Sequence, residues 1–305
     1  MIYNFIERQK TKIIERWGND LYLKISRDIE TYSEKWELSD FVFIENYSFN
    51  AVFFCKSKQY GDCVLKIGGE EQDAEFVSEY NVLREYNGNG RYVKVYESDI
   101  DIEKRKKAML IERVIPGKRL REEPLLEKRL AVFSDLFNGF HIEPTNPEIY
   151  NTYIKWVCDM TDLYSKEGGQ YKELAEHMMK AKDLCFEIIK TYDRKVLLHG
   201  DFHIDNIISD GNGKYMIIDP KGIIGDPVFD VMRYISNEDW GAISENGFDN
   251  VVKIIEYLEK SLNIPNKIIR QCWYIEMAMV NGWDDEDDGT VKIDNLKLAE
   301  NFMNI

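Results

Sequence analysis

The amino-acid sequence predicts an α+β protein of two lobes, an N-terminal antiparallel-sheet lobe followed by a larger, mainly helical C-terminal lobe. Three observations carry that expectation. Short β-type runs fill the stretch from Phe41 to Glu112, bounded by turn residues. From about Leu120 the apolar spacing switches to the three- and four-residue steps of helices. The chain has 305 residues, enough for two lobes of ordinary size. The composition shift places the boundary between residues 1–117 and 118–305.

Residues 4–34 read as a leading helix, with Phe5, Ile6, Ile13, Ile14, Trp17, Leu21 and Ile25 on one periodic face and Gly18-Asn19 as a break. Strands are expected at Phe41 to Glu45, Ala51 to Lys56 and Cys63 to Ile67, the last two joined by the turn Gln59-Tyr60-Gly61-Asp62. A helix follows over about Glu70 to Tyr86, packing through Val82, Leu83 and Tyr86. Tyr92 to Glu97 and Ala108 to Glu112 read as two more strands, and Pro116-Gly117 breaks the chain after them. Three long helices are then expected at Glu122 to Phe140, Pro147 to Ser165 and Tyr171 to Tyr192, separated by Pro144 and Gly168-Gly169. The remaining helices are Val228 to Ser236, Phe248 to Leu262, Lys267 to Asn281 and a short one near Leu296. No internal repeat or low-complexity linker interrupts this order.

Composition bounds the function. An apolar share of 44% with 13% aromatic residues supports a packed core. A formal charge of −15 argues against a nucleic-acid partner, whose phosphates it would repel, and favours cationic small molecules. Cys55, Cys63, Cys158, Cys185 and Cys272 are scattered and odd in number, so reduced thiols in a cytoplasmic protein are expected, not a disulfide framework or zinc site. The N-terminus has no apolar signal region, and no run reaches the roughly 18 apolar residues of a membrane span. No membrane partner is expected.

The stretch around which the chain is organised is Leu197 to Gly222, LLHGDFHIDNIISDGNGKYMIIDPKG. Apolar runs alternate with His199-Gly200-Asp201, Asn206, a turn at Asp210 to Gly213, and Asp219. Asp201, Asn206 and Asp219 thus bring two carboxylates and an amide carbonyl onto connected loops. Magnesium takes one or two oxygens of that kind from protein and the rest from phosphates and water. An ordinary hairpin with turn aspartates and a capping asparagine is the competing account, and three correctly ordered polar positions argue against it. His199 and His203 have no third His or Cys nearby, which disfavours zinc and leaves His199 a scaffolding role.

HGDFHIDN followed by IDPKG resembles the kinase signature H-x-D-x-x-x-x-N with a later strand-end Asp. In this variant form it is similar to the aminoglycoside/hydroxyurea antibiotic resistance kinase family, which includes streptomycin 6-phosphotransferases and has a protein-kinase-like fold. The resemblance implies a nucleotide-binding N-terminal lobe and a catalytic, substrate-binding C-terminal lobe. It implies Asp201 as catalytic base, Asn206 and Asp219 as ligands of Mg2+, and ATP or GTP as phosphoryl donor. Lys66 corresponds to the strand lysine on the phosphates, and Glu79 to its pairing glutamate. The loop Tyr47-Ser48-Phe49-Asn50 stands where a phosphate-covering loop belongs; it lacks glycine, so Ser48 and backbone amides are its donors, with a plain hairpin turn equally open. The Glu112 carbonyl and Val114 amide are the candidates for the adenine edge.

Pro220 stands where DFG has Phe, so the Phe-packing switch of regulatory kinases is not expected. Lys221 is open between a γ-phosphate contact and pairing with an acid. Asp230 resembles the family's aspartate that braces the catalytic loop, although by sequence alone it is an N-cap. The run Trp283-Asp284-Asp285-Glu286-Asp287-Asp288-Gly289 reads ordinarily as a solvated loop. By resemblance, Asp284, Asp285, Glu286, Asp287 and Asp288 line the substrate cleft for a cationic sugar, with Asp239-Trp240 a weaker contributor. The implied reaction is transfer of a γ-phosphoryl group to a hydroxyl of an aminoglycoside such as streptomycin. The alternatives are a metabolite kinase of the choline, homoserine or methylthioribose type, and a nucleotide-binding module without catalysis.

Overall fold

The computed structural model describes residues 3–45, 50–69, 73–167, 171–238, 247–288 and 291–304, without the side chains of 73, 167, 247, 248 and 284–288. Two compact units emerge: Met1–Lys118 with Ser209–Ile218, and Arg119–Ile208 with Asp219–Ile305. The sequence reading kept 209–218 with the C-terminal part. The structure adds this segment to the first unit because Val93 N–H donates to Ile217 O at 3.2 Å and Ile217 N–H to Arg91 O at 2.7 Å.

The first unit is built on a five-stranded antiparallel sheet of β1 (Leu38–Phe43), β2 (Asn50–Ser57), β3 (Gly61–Gly68), β4 (Val95–Asp101) and β5 (Lys106–Glu112), in the order β1-β2-β3-β5-β4. Alternation decides which face is apolar. Ala51, Phe53 and Cys55 of β2 pair with Ile67, Leu65 and Cys63 of β3, and all six are buried. That face packs against Ile13, Leu21, Ile25, Ile29 and Tyr32 of the helix α1 (Glu7–Lys35). Each such side chain, fully buried, stabilises the fold by about 1.5–3 kcal/mol. The expected break in α1 is a kink, not an end: Gly18 has φ 85° and ψ 164°, which a Cβ would make costly, and the helix resumes beyond it. Lys66, one residue out of phase with Leu65 and Ile67, lies on the sheet's other face. The helix α2 (Asp73–Glu85) supplies its partner there.

Strand boundaries moved around β4 and β5. Tyr92 and Val93 engage Arg91–Ile217 backbone contacts instead of opening β4, and β4 and β5 run further into the charged connection, to Asp101 and Lys106. Its charges sit at an exposed tip, where Lys104 and Asp101 pair at 2.6 Å.

The second unit is helical: α3 (Leu126–Phe137), α4 (Tyr153–Glu167), α5 (Lys172–Ile188), α6 (Met232–Glu238), α7 (Gly247–Leu262), α8 (Asn266–Asp288) and α9 (Ile293–Met303). α3 starts later than the sequence suggests because Pro124 keeps Glu123 extended (ψ 117°). Pro147–Ile149 forms a single 3-10 turn and Asn151–Thr152 a short strand before α4 begins. That strand pairs in parallel with Ile223–Ile224, and Val196–Leu198 pairs antiparallel with Ile223–Gly225. The acidic run, expected as a loop, is helical in its backbone through Asp288, as the last turns of α8.

Between Leu198 and Ile207 the chain is an irregular loop, with Gly200 left-handed and a turn closed by Asn206 N–H on His203 O at 3.0 Å. Phe202 and Ile204 are buried, and Phe202 stacks on Phe133 of α3 (4.8 Å), which stacks on Tyr234 of α6 (4.0 Å). Asp201, His203 and Asp205, between and beside them, are only partly buried. The apolar half of HGDFHIDN anchors the polar half.

Candidate active site

In the first unit, Lys66 Nζ donates to Glu79 Oε1 at 2.5 Å, and both side chains are 8% exposed. Removing two charges from water this far requires a partner of opposite sign and good geometry. The pairing expected from the sequence is present, and it fixes Lys66 along the sheet face. Lys107 Nζ donates to the Gly69 carbonyl just beyond β3.

The segment His199–Asn206 in the second unit is held from behind. The carboxylate of Asp230 accepts the backbone amides of His199 (2.7 Å) and Gly200 (2.9 Å), and the His141 ring nitrogen lies 3.1 Å from it. Asp230 is thus the brace the sequence suggested. The capping role falls to Asp226, whose side chain accepts from Val228 N–H. His199 is fully buried; its Nδ1 accepts Asp201 N–H at 3.1 Å and its carbonyl accepts Lys221 N–H at 2.8 Å. The scaffolding role holds, and the bond fixes the Nδ1 nitrogen as acceptor. Gly200 has φ 77°, and a Cβ there would meet Ile223, Lys221 and Trp156 at 3.3–3.4 Å, so glycine is required at the turn into Asp201.

Asp201 faces three cationic or protonatable groups. Arg233 Nε donates to its Oδ1 at 2.9 Å, His203 Nε2 lies 3.6 Å from the same oxygen, and Lys221 adds positive charge. Burial would push the Asp201 carboxyl up, but Arg233 and then His203 outweigh it and hold the group well below the usual carboxylate range. Arg233 Nη1 is also 3.0 Å from Glu276 Oε1, an ion pair without hydrogen-bond geometry, and its guanidinium sits 4.8 Å from the Trp283 ring centroid. Glu276 is 4% exposed. Burial, with repulsion from Asp201 added, pushes its carboxyl above the ordinary value and Arg233 only partly offsets this.

Asn206 Nδ2 donates to the Asp201 carbonyl at 2.9 Å, which ties the NH2 end of the amide to the loop and leaves Oδ1 as the end able to meet a cation. Asp219 has φ 56°, a left-handed conformation that aspartate tolerates, in the irregular stretch before Ile223–Gly225. An amide oxygen and a carboxylate are donors of the hard-oxygen type that magnesium takes, which leaves most of its coordination to phosphate and water.

The other sequence candidates are less completed by the structure. Ser48 and Asp239-Trp240 lie outside the described residues, as do the side chains of Asp284, Asp285, Glu286, Asp287 and Asp288. Glu112 ends β5, with its N–H donating to Lys94 O at 2.8 Å and its side chain accepting Lys94 N–H. Val114 follows in irregular backbone, and its N–H makes no hydrogen bond to a described residue. All five cysteines are free thiols, and Cys158 alone among them is not fully buried. Among the described residues no helix is long and apolar enough to cross a membrane.

The sequence reading missed Arg233 and Glu276. A signal was present for the second: Glu276 is an acid inside the otherwise apolar Tyr274-Ile275-Glu276-Met277-Ala278, and a buried carboxylate needs a partner. Arg233 lies three residues after Asp230, but nothing in its spacing said that it turns back to Asp201.

Residues 35–289 match the family described as aminoglycoside/hydroxyurea antibiotic resistance kinase. No curated protein sequence matches the chain significantly. Among solved structures, choline kinase LicA from Streptococcus pneumoniae superposes with TM-score 0.62 at 13% identity, covering 92% of this chain and 98% of its own. A thermostable mutant of the aminoglycoside phosphotransferase APH(4)-Ia, in ternary complex with AMP-PNP and hygromycin B, gives TM-score 0.59 at 16% identity, covering 90% and 95%. The ethanolamine kinase of Plasmodium vivax gives 0.63 at 13%, covering 99% and 96%. At these identities the likeness establishes the kinase-like fold.

Proposed function

The chain belongs to the aminoglycoside/hydroxyurea antibiotic resistance kinase family, and from that premise we propose that it transfers the γ-phosphoryl group of ATP or GTP to a hydroxyl of an aminoglycoside such as streptomycin. Lys66, held extended by Glu79, pairs with the donor phosphates. The Glu112 carbonyl and Val114 amide meet the adenine edge, and Ser48 donates to phosphate. Asn206 and Asp219 hold Mg2+, which when bound neutralises phosphate charge and orients the transferring group. Asp201 receives the acceptor hydroxyl and takes its proton. Because the transition state is loose, orientation of that hydroxyl matters more than early proton removal, which suits a carboxylate kept ionised and of low basicity by Arg233.

The observation that carries this reading is the braced loop: Asp230 fixes the backbone at His199 and Gly200, and Asn206 is tied to Asp201, so base and metal ligand form one rigid piece. The acceptor is cationic in this reading, in keeping with a formal charge of −15 and an acidic run from Asp284 to Asp288 at the end of α8. The nucleotide donor and the reduced thiols suit the cytoplasm. The test is a panel of aminoglycosides, choline, ethanolamine, homoserine and methylthioribose, each assayed with ATP and with GTP plus magnesium. Streptomycin phosphorylation is the expected result. Turnover of a metabolite with no aminoglycoside phosphorylated would move the chain to the metabolite kinases, and no nucleotide consumption with any acceptor would favour a non-catalytic binding module.

A further inference from the structure

We propose that Arg233 is a positioning residue for phosphoryl transfer: it holds one oxygen of Asp201 and so dedicates the other to the acceptor hydroxyl. The inference rests on the reading of Asp201 as the group that meets that hydroxyl.

The two oxygens of Asp201 are not equivalent. Arg233 Nε at 2.9 Å and His203 Nε2 at 3.6 Å both approach Oδ1. Among the described residues no hydrogen bond reaches Oδ2. A carboxylate on a two-torsion side chain would otherwise sample orientations in which neither oxygen is aimed. A guanidinium is suited to removing that freedom, because its nitrogens are fixed in one plane and its charge does not titrate.

Arg233 is itself held on other sides. Its Nη1 meets Glu276 at 3.0 Å, its face lies over the Trp283 ring at 4.8 Å, and its backbone carbonyl accepts Asn237 Nδ2 at 2.9 Å. Trp283 in turn packs edge-on against Trp156, whose ring is within contact of the Gly200 turn. Arg233 is fully charged and largely buried between two carboxylates, one of which, Asp201, receives its only well-formed hydrogen bond of the pair. The chain Glu276–Arg233–Asp201 therefore converts the fixed position of α8 into the orientation of one carboxylate oxygen.

The experiment is a double-mutant cycle on the full chain with Asp201→Asn, Arg233→Met and both, with Arg233→Lys as the conservative variant. Rates are scored on streptomycin with Mg·ATP, or on ATP hydrolysis by water if streptomycin is not turned over. Arg233→Met is expected to lower kcat about 100-fold with the KM for ATP unchanged, the cost of a misplaced reacting group. Arg233→Lys should recover part of that loss. In the Asp201→Asn background, adding Arg233→Met should change kcat by less than about twofold, since the oriented group is already gone. Wild-type-like kcat in Arg233→Met, or a double variant slower by the full product of the two single losses, would overturn the proposal. If Asp201→Asn alone leaves turnover intact, the base assignment fails instead. Should Arg233→Met lose its cooperative unfolding transition, Arg233→Lys carries the cycle. A wild type that turns over no acceptor of the panel and hydrolyses no ATP would sink the kinase reading; the positioning claim would then rest on a crystal structure of Arg233→Met, and an unchanged Asp201 rotamer would sink it.

Discussion

The backbone amide of His199 donates to Asp230 Oδ2 at 2.7 Å, across 31 residues of sequence. With Gly200 N–H on the other oxygen and His141 beside the first, one buried carboxylate satisfies the donors that the turn into Asp201 would otherwise leave without partners. Asp230→Ala removes that acceptor and leaves buried donors behind. It should cost roughly 2–4 kcal/mol of stability and abolish turnover at temperatures where the protein is still folded. Urea unfolding together with a phosphoryl-transfer assay measures both; a midpoint and a kcat close to wild type would remove Asp230 from the bracing role.

Asp201→Asn keeps the shape of the side chain and can still sit beside Arg233, but it neither accepts a proton nor carries the charge that orients the hydroxyl. Turnover should fall by about 10²–10⁴, while nucleotide affinity, which the proposed function assigns to Lys66, Asn206 and Asp219, stays near wild type. Isothermal titration with a non-hydrolysable ATP analogue separates the two effects. Comparable turnover in the variant would take the base role away from Asp201.

Much of this site was legible in the sequence because each of its visible parts sits beside something periodic. Lys66 is flanked by Leu65 and Ile67, so strand alternation alone puts it on the opposite face, and Glu79 falls next to Val82 and Leu83 on a helix. Asp201, Asn206 and Asp219 stand at the ends of apolar runs. What could not be read is contact between residues far apart in the chain whose own neighbourhoods are ordinary helix. Arg233 and Glu276 meet because α6 packs on α8, and nothing local to either announces it. The acidic run was misread in its backbone for a related reason: charge repulsion suggested a loop, but the helix begun at Asn266 carries through to Asp288.

Lys66 and Glu79 form a buried pair, and the two possible truncations should behave differently. Lys66→Ala leaves the Glu79 carboxylate buried without that partner and removes the positive charge proposed to meet phosphate. Destabilisation on the order of 3–5 kcal/mol is expected, together with a large rise in the KM for ATP. Glu79→Gln removes no cation and retains a hydrogen-bonding side chain, so it should disturb the orientation of Lys66 more than stability. Thermal melts with and without Mg·ATP distinguish the variants: nucleotide should raise the Tm of Glu79→Gln and leave that of Lys66→Ala unmoved. A similar nucleotide-induced rise in both would show that Lys66 is not on the phosphates.

Two neighbouring carboxyls give opposite dependences on pH. Asp201 is held below its ordinary range, first against burial, by Arg233 and His203. Its contribution to stability is therefore present above an unfolded pKa of about 3.9 and is lost only as pH falls further. Glu276 is pushed the other way by burial. The native state favours its protonated form, so that contribution is complete below an unfolded pKa of about 4.3 and is lost as pH rises through the higher folded value. Gln at 276 mimics the protonated form and does not titrate. Relative to Glu276→Gln, the wild type should thus lose stability as pH rises from about 4.5 to 8, while Asp201 contributes no slope in that window. Urea unfolding of both proteins across the range reads the difference directly. A difference that stays constant, or one that grows in favour of the wild type, would mean that Arg233 overcomes burial at Glu276 and that the pair is an ordinary ion pair throughout.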